Sequence, residues 1–144
     1  MIVRADQNHL GALTELALKL WPDHAYEDLF GELQETMVQR EAAFFLACEG
    51  DRAVGFAQCQ LRHDYVEGTL FSPVGYLEGI YVEADCRGRG LAGQLLGACE
   101  GWAKEMGCAE FASDCELENT QSLQFHLKLG FEEANRIICF TKKL

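Results

Sequence analysis

At 144 residues and 49% hydrophobic composition, the chain is long enough for one domain with a real core and too short for two. Its formal charge of -11, from 12 basic against 23 acidic residues, gives a surface that repels nucleic acid and anionic lipid and attracts cations. The longest apolar run, "AAFFLAC" from Ala42, falls far short of a membrane span, and no basic segment followed by an apolar one opens the chain, so neither a membrane anchor nor a signal peptide is expected. The cysteines show no C-x-x-C pair and no grouping with the histidines, which fits reduced thiols in a cytoplasm and implies neither a disulfide framework nor a metal site.

"IVRAD" reads as a first strand, followed by a helix whose apolar face is Leu10, Leu13, Leu16, Ala17 and Leu20 and which ends at Trp21-Pro22. A second helix, capped by Asp23, carries Tyr26, Leu29, Phe30, Leu33 and Met37 on its apolar side. Its acids, Glu27, Asp28, Glu32 and Glu35, form either a solvated face or the rim of a site. "AAFFLACE" and "RAVGFAQCQLRH" flank Gly50-Asp51 as a hairpin. After the polar loop "DYVEGTLFS" comes the strand "VGYLEGIYV", then a glycine-rich loop and a helix from about Gly90 to Met106. Gly107 stops that helix, "CAEFASD" is a strand, and Asn119 caps a last helix that stops at Gly130. "FEEANRIICFTKK" is expected to close the chain as one or two strands. The order predicts an α/β fold, a mixed sheet with helices around it.

The glycine loop "CRGRGLAG" admits two ligands. Gly88, Gly90 and Gly93 spell the dinucleotide fingerprint, and Asp114 stands about 20 residues on, where a ribose contact belongs. Against that reading, Glu83 to Arg87 separate the strand from the glycines, and no second βαβ unit follows. Read instead as Arg87-x-x-Gly90-x-Ala92, the loop wraps a pyrophosphate with Gly88 and Gly90 and presents the free N–H groups of a helix start. Arg87 and Arg89 put two cations beside it.

On these residues the chain resembles the GNAT superfamily of acetyl-CoA-dependent N-acetyltransferases. The resemblance implies a single GNAT domain over residues 1–144, with a mostly antiparallel central sheet flanked by helices, and acetyl-CoA as cosubstrate with no metal. It implies that Ile80, Tyr81 and Val82 pair their backbone with the pantetheine arm, that Arg87, Gly88, Arg89, Gly90, Leu91, Ala92 and Gly93 hold the pyrophosphate, and that Asn119, in "NTQSLQFHLKLGF", contacts the cofactor.

Further stretches, "LWPDH", "LRHDYV", "SPVGYLEGIYV", "ASDCELENT" and "LGFEE", resemble the bacterial aminoglycoside 6'-N-acetyltransferases over essentially the whole chain. The positions that line the drug site in that subfamily are Trp21, Tyr65, Glu78 and Asp114, and relatives are commonly homodimers. The residues agree with a polycationic acceptor, which calls for carboxylates and aromatic walls. Glu78 is a charged residue in mid-strand, costly unless it faces a site, and Asp114 ends the neighbouring strand, so both acids can converge on one amine, with Glu118 nearby. The implied reaction is direct transfer, with a base or water chain from Glu78 or Asp114 taking the amine's proton. Two positions depart from the superfamily. His126 stands where many members carry tyrosine, and either protonates the departing thiolate or packs without a role. Asn135 stands where relatives often carry a substrate-holding acid. Two other functions remain open on the residues: an acetyltransferase of another amine such as a polyamine, and a non-catalytic acyl-CoA-binding sensor.

Overall fold

A computed structural model describes all 144 residues. In chain order the elements are β1 (Ile2–Arg4), α1 (Leu10–Leu20), α2 (Tyr26–Met37), β2 (Ala42–Glu49), β3 (Arg52–Arg62), β4 (Val74–Val82), α3 (Leu91–Glu105), β5 (Phe111–Ala112) and α4 (Thr120–Lys128). The sheet order is β1-β2-β3-β4-β5, antiparallel throughout except for the β4–β5 pair, which is parallel. The mixed, mostly antiparallel sheet expected from the sequence is therefore present.

Two apolar clusters hold helices to the sheet. One joins Leu10, Leu13, Leu16 and Ala17 of α1 and Leu29 and Leu33 of α2 to Phe44, Leu46 and Phe56. The other joins Leu95, Leu96, Cys99 and Trp102 of α3 to Phe45, Ala57, Cys59 and Leu77. Complete burial of a Leu or Phe side chain contributes roughly 1.5–3 kcal/mol, so these contacts fix where the strands end relative to the helix starts. Thr14, the one buried polar side chain, donates to the Leu10 carbonyl at 2.6 Å, so its burial leaves no hydroxyl unpaired. No helix is long and apolar enough to cross a membrane.

Three expectations need correction. Asp23 does not cap α2: the residue before the helix is Ala25, extended at φ -77° and ψ 145°, with no side-chain cap. The strand expected over "CAEFASD" shortens to Phe111–Ala112, because β5 meets β4 only at Gly75 and Tyr76 before the two diverge. The closing strands do not form: Phe131–Leu144 hold no strand, and Ile137, Ile138 and Phe140 are exposed. Those residues have the composition of a strand, but they pair with none of the sheet's free edges.

Candidate active site

The site begins with a defect in the β3–β4 ladder. Cys59 opposes Leu77 and Gln58 opposes Gly79, so Glu78 is the extra residue of a β-bulge. A bulge bends its strand and re-aims the side chain at the irregularity. Here the irregularity falls at a charged residue, with Gln58 and Gln60 on the facing strand. Beyond it, β4 diverges from β5, and Gly79 to Val82 are paired to β3 on one side with no strand on the other. The cleft so formed exposes an acid and a free strand edge within a few residues of each other.

Glu78 is not alone at the bulge. Arg62, the last residue of β3, reaches its carboxylate with two nitrogens: Nη2 lies 2.9 Å from Oε2, and Nε lies 3.1 Å from Oε1. The guanidinium carbon lies 3.4 Å from the centroid of the Tyr76 ring, a stacked cation–π contact. Tyr76 in turn donates its hydroxyl proton to Asp114 Oδ2. Burial, and then the bond to Asp114, push the Tyr76 hydroxyl well above its ordinary pKa, so it remains a proton donor at neutral pH. The bond to Glu78 raises the already high pKa of Arg62. The two acids thus belong to one chain of contacts, Glu78–Arg62–Tyr76–Asp114.

Trp21, at the C-terminal end of α1, packs edge-on against Phe56 with centroids 5.9 Å apart. Its ring lies directly over Gly79, where an added Cβ would come within 2.6 Å of it, so only glycine lets the indole sit beside the bulge. Trp21, His24, Glu32, Gln58 and Glu78 line a hollow of about 240 Å³. It adjoins an open groove along α2 lined by Asp23, Glu27, Asp28, Glu32 and Glu35, so the α2 acids form a rim. Tyr65, Asn135 and Asp114 do not line the hollow, and Asp114 connects to Glu78 through Tyr76 and Arg62. Tyr65 is 78% exposed in the loop after β3, and Asn135 donates to Glu67 Oε1 at 3.0 Å, tying the chain after α4 to that same loop.

Past the C-terminal end of β4, the glycine loop follows a short 3-10 turn, Ala84–Cys86. Gly88 and Gly90 adopt φ of +81° and +78°, the left-handed region that favours glycine, and a Cβ on either would point into open space. Gly90 is the residue before α3, so the unpaired N–H groups of Leu91, Ala92 and Gly93 face the concavity the glycines leave. That is a cradle an anionic pyrophosphate fits. Arg87 donates from Nε to the Val82 carbonyl at 2.8 Å, and Arg89 pairs with Glu49 at 2.9 Å. Asn119 accepts from the Ser122 N–H at 3.0 Å, the expected helix cap.

His126 lies on α4 with Nδ1 2.7 Å from the Ser122 carbonyl and Nε2 2.8 Å from Ser113 Oγ. A carbonyl only accepts, so Nδ1 carries the proton and, in the neutral ring, Nε2 accepts from Ser113. Arg62, Tyr76 and Ser113 are the residues of this region that sequence reasoning missed. Tyr76 and Arg62 could have been found from the pairing of β3 with β4. Gln60 opposes Tyr76, which makes Arg62 the diagonal neighbour of Tyr76 on the same face.

The chain belongs to the acetyltransferase (GNAT) family, whose model matches residues 10–131. It is 45% identical over 134 residues to the aminoglycoside N(6')-acetyltransferase type 1 of Stenotrophomonas maltophilia, covering 92% of this chain and 86% of that one. To the aminoglycoside N(6')-acetyltransferase type 1 of Serratia marcescens it is 40% identical over 145 residues, covering 100% and 99%. Among solved structures, it superposes with a TM-score of 0.96 on AAC(6')-Iy in complex with the bisubstrate analogue CoA-S-monomethyl-acetylneamine, at 40% identity, covering 100% of this chain and 98% of the other.

Proposed function

We propose that the protein is an aminoglycoside 6'-N-acetyltransferase, a single catalytic domain over residues 1–144 that moves an acetyl group from acetyl-CoA to the 6'-amine of an aminoglycoside. The observation that carries the reading is on β4: the bulge aims Glu78 into an aromatic and acidic hollow, and the next residues of the same strand present a free backbone edge. One strand therefore offers an anion to a cationic amine and amide groups to a thioester.

In this reading the glycine cradle from Arg87 to Gly93 holds the pyrophosphate, Ile80 to Val82 take the pantetheine arm, and Asn119 closes the site from the start of α4. Trp21 walls the drug, and Glu78 and Asp114 hold its reacting amine. Tyr65, from the loop after β3, and Asn135, from the chain after α4 that is tied to that loop through Glu67, meet the outer part of the drug. The ammonium gives one proton to water through Glu78 or Asp114, and the neutral nitrogen attacks the thioester carbonyl carbon. A backbone N–H of the free β4 edge stabilises the oxyanion, the carbon–sulfur bond breaks, and the thiolate leaves with the second nitrogen proton, giving the amide and free coenzyme A. With both ring nitrogens engaged, we assign His126 to holding Ser113, next to Asp114, and not to proton transfer.

The test is thiol release from acetyl-CoA with kanamycin and with spermidine as acceptors. Turnover of kanamycin well above that of spermidine supports the reading. Faster turnover of the polyamine moves the assignment to that substrate class, and no thiol release with any amine leaves an acyl-CoA-binding sensor.

Two consequences follow from charge and exposure. Raising ionic strength from about 0.05 to 0.5 M is expected to weaken coenzyme A binding several-fold, because screening weakens attraction between exposed Arg87 and Arg89 and the phosphates. Affinity that stays flat by calorimetry would remove both arginines from the phosphate site. We also infer a homodimer acting in the cytoplasm. Its support is that Ile137, Ile138 and Phe140 lie exposed at 69%, 79% and 87% in a segment with strand composition, a surface a second copy would cover, and that all seven cysteines are free thiols. Light scattering should give twice the 16.1 kDa chain mass, and a monomer at micromolar concentration would contradict the inference.

A further inference from the structure

The cation inside the acceptor site is at odds with a purely electrostatic account of drug binding. A site for a polycation gains affinity from every uncompensated carboxylate, yet Glu78 spends its negative charge on Arg62. The guanidinium is held by two contacts, one of them anchored in turn. Glu78 binds it in a forked geometry, the Tyr76 ring lies under it at 3.4 Å, and Tyr76 itself is anchored to Asp114. Glu78 has 21% of its side chain exposed and Arg62 43%, so the pair is open to a bound molecule and not sealed in the core.

Counting the groups that face this point gives Arg62 from β3, Tyr76 and Glu78 from β4 and Asp114 beyond β5, with His24 and Glu32 across the hollow from Glu78. With Tyr76 protonated, the inner four sum to a single negative charge. An ammonium held there is neutralised once and not twice, and a fixed cation stands a few ångströms away. An anionic neighbour raises an amine's proton affinity and a cationic one lowers it. The reaction needs the amine neutral, so a site of two bare carboxylates would bind the drug well and hold its proton too firmly.

We infer that Arg62 is a positioning residue for acetyl transfer, which orients the Glu78 carboxylate and lowers the proton affinity of the bound acceptor amine. The inference rests on the acceptor site proposed above. It divides the labour among the residues: the acids bind, and Arg62 limits how tightly they keep the proton.

The experiment compares Arg62→Met and Arg62→Lys with the native protein by following thiol release with kanamycin across pH. For Arg62→Met, the acid limb of kcat moves upward by about one pH unit, kcat near neutral pH falls about ten-fold, and KM for the drug stays level or drops. Arg62→Lys keeps the charge and loses the fork, so its limb stays near the native position. An Arg62→Met limb that coincides with the native one, with KM raised, overturns the inference and leaves a purely structural ion pair. Arg62→Gln, a second neutral variant that is polar, covers the case in which the methionine variant does not fold. Its acid limb should move upward as for Arg62→Met, and a folded Arg62→Gln protein whose limb coincides with the native one overturns the inference. Native protein that turns over no aminoglycoside at all would instead refute the function on which it rests, so the two failures are distinguishable.

Discussion

Glu78→Gln and Asp114→Asn are each expected to lower catalytic efficiency toward a 6'-amine aminoglycoside by roughly ten- to a hundred-fold while coenzyme A affinity stays nearly unchanged. A hydrogen bond from an ammonium to a carboxylate contributes about 1.5–3 kcal/mol, and either amide replaces a charged partner by a neutral one of the same shape. The two variants should differ in kind. Glu78→Gln keeps one oxygen for Arg62 but replaces the other by an NH2 that cannot accept from it, so the fork is broken and the cation is held less firmly beside the amine. Asn at position 114 keeps an oxygen for the Tyr76 hydroxyl, so the Tyr76–Arg62 stack survives and only charge is lost. A larger loss of kcat is therefore expected for Glu78→Gln than for Asp114→Asn. Loss should also deepen at low pH for whichever acid passes on the proton, because less of the amine is neutral there. Steady-state kinetics with calorimetric titration of coenzyme A measures both parts. Variants as active as the native protein would remove the two acids from the site.

Gly90→Val is expected to weaken coenzyme A binding by roughly a hundred-fold, equivalent to about 2.7 kcal/mol. Two effects add. At φ +78° a β-branched side chain strains the backbone by about 1–3 kcal/mol. The added carbons also point into the open concavity that the pyrophosphate would occupy. Gly90→Ala, with the same sign of strain and less bulk, should lose less. Because nothing in the protein crowds a Cβ at this position, the variant is expected to fold, and circular dichroism alongside the titration checks that it has. Unchanged affinity in a folded Gly90→Val protein would mean that the loop is a turn without a ligand.

How much of this was legible in the sequence depended on whether the relevant contacts are local. Gly50-Asp51 between two apolar runs announces a hairpin, and β2 and β3 pair across it with Gly50 at φ +60°. Leu10, Leu13, Leu16 and Ala17 recur at helical spacing, and all four are buried on α1. Gly88 and Gly90 mark a loop that requires left-handed backbone, and Asn119 is a helix cap within its own first turn. These features are settled within a few residues of chain, so the spacing of residue types reveals them.

What was missed involves registry between strands or the lack of a partner. The bulge at Glu78 exists only in the pairing of β4 with β3, and no residue type in "GYLEGIY" announces it. Arg62 ends a run that reads as an ordinary strand, and its role emerges only when the register puts it diagonally across from Tyr76. Strand propensity in "RIICF" is plain, yet propensity does not decide whether a segment pairs with a neighbour, and this one holds no strand. Asp23 has the right chemistry for a cap but sits too early, since the turn after Trp21-Pro22 runs on to Ala25 before α2 begins.

The central claim is that the acceptor nitrogen is the 6'-amine of an aminoglycoside held at Glu78 and Asp114. It is tested most directly with two aminoglycosides that differ only at that position, one bearing the 6'-amine and the other a 6'-hydroxyl, each incubated with the protein and acetyl-CoA. Thiol release and mass spectrometry of the drug should show one added acetyl group on the amine-bearing compound and none on the hydroxyl analogue. Equal acetylation of the two would contradict the account, because the group transferred would then reside elsewhere on the drug.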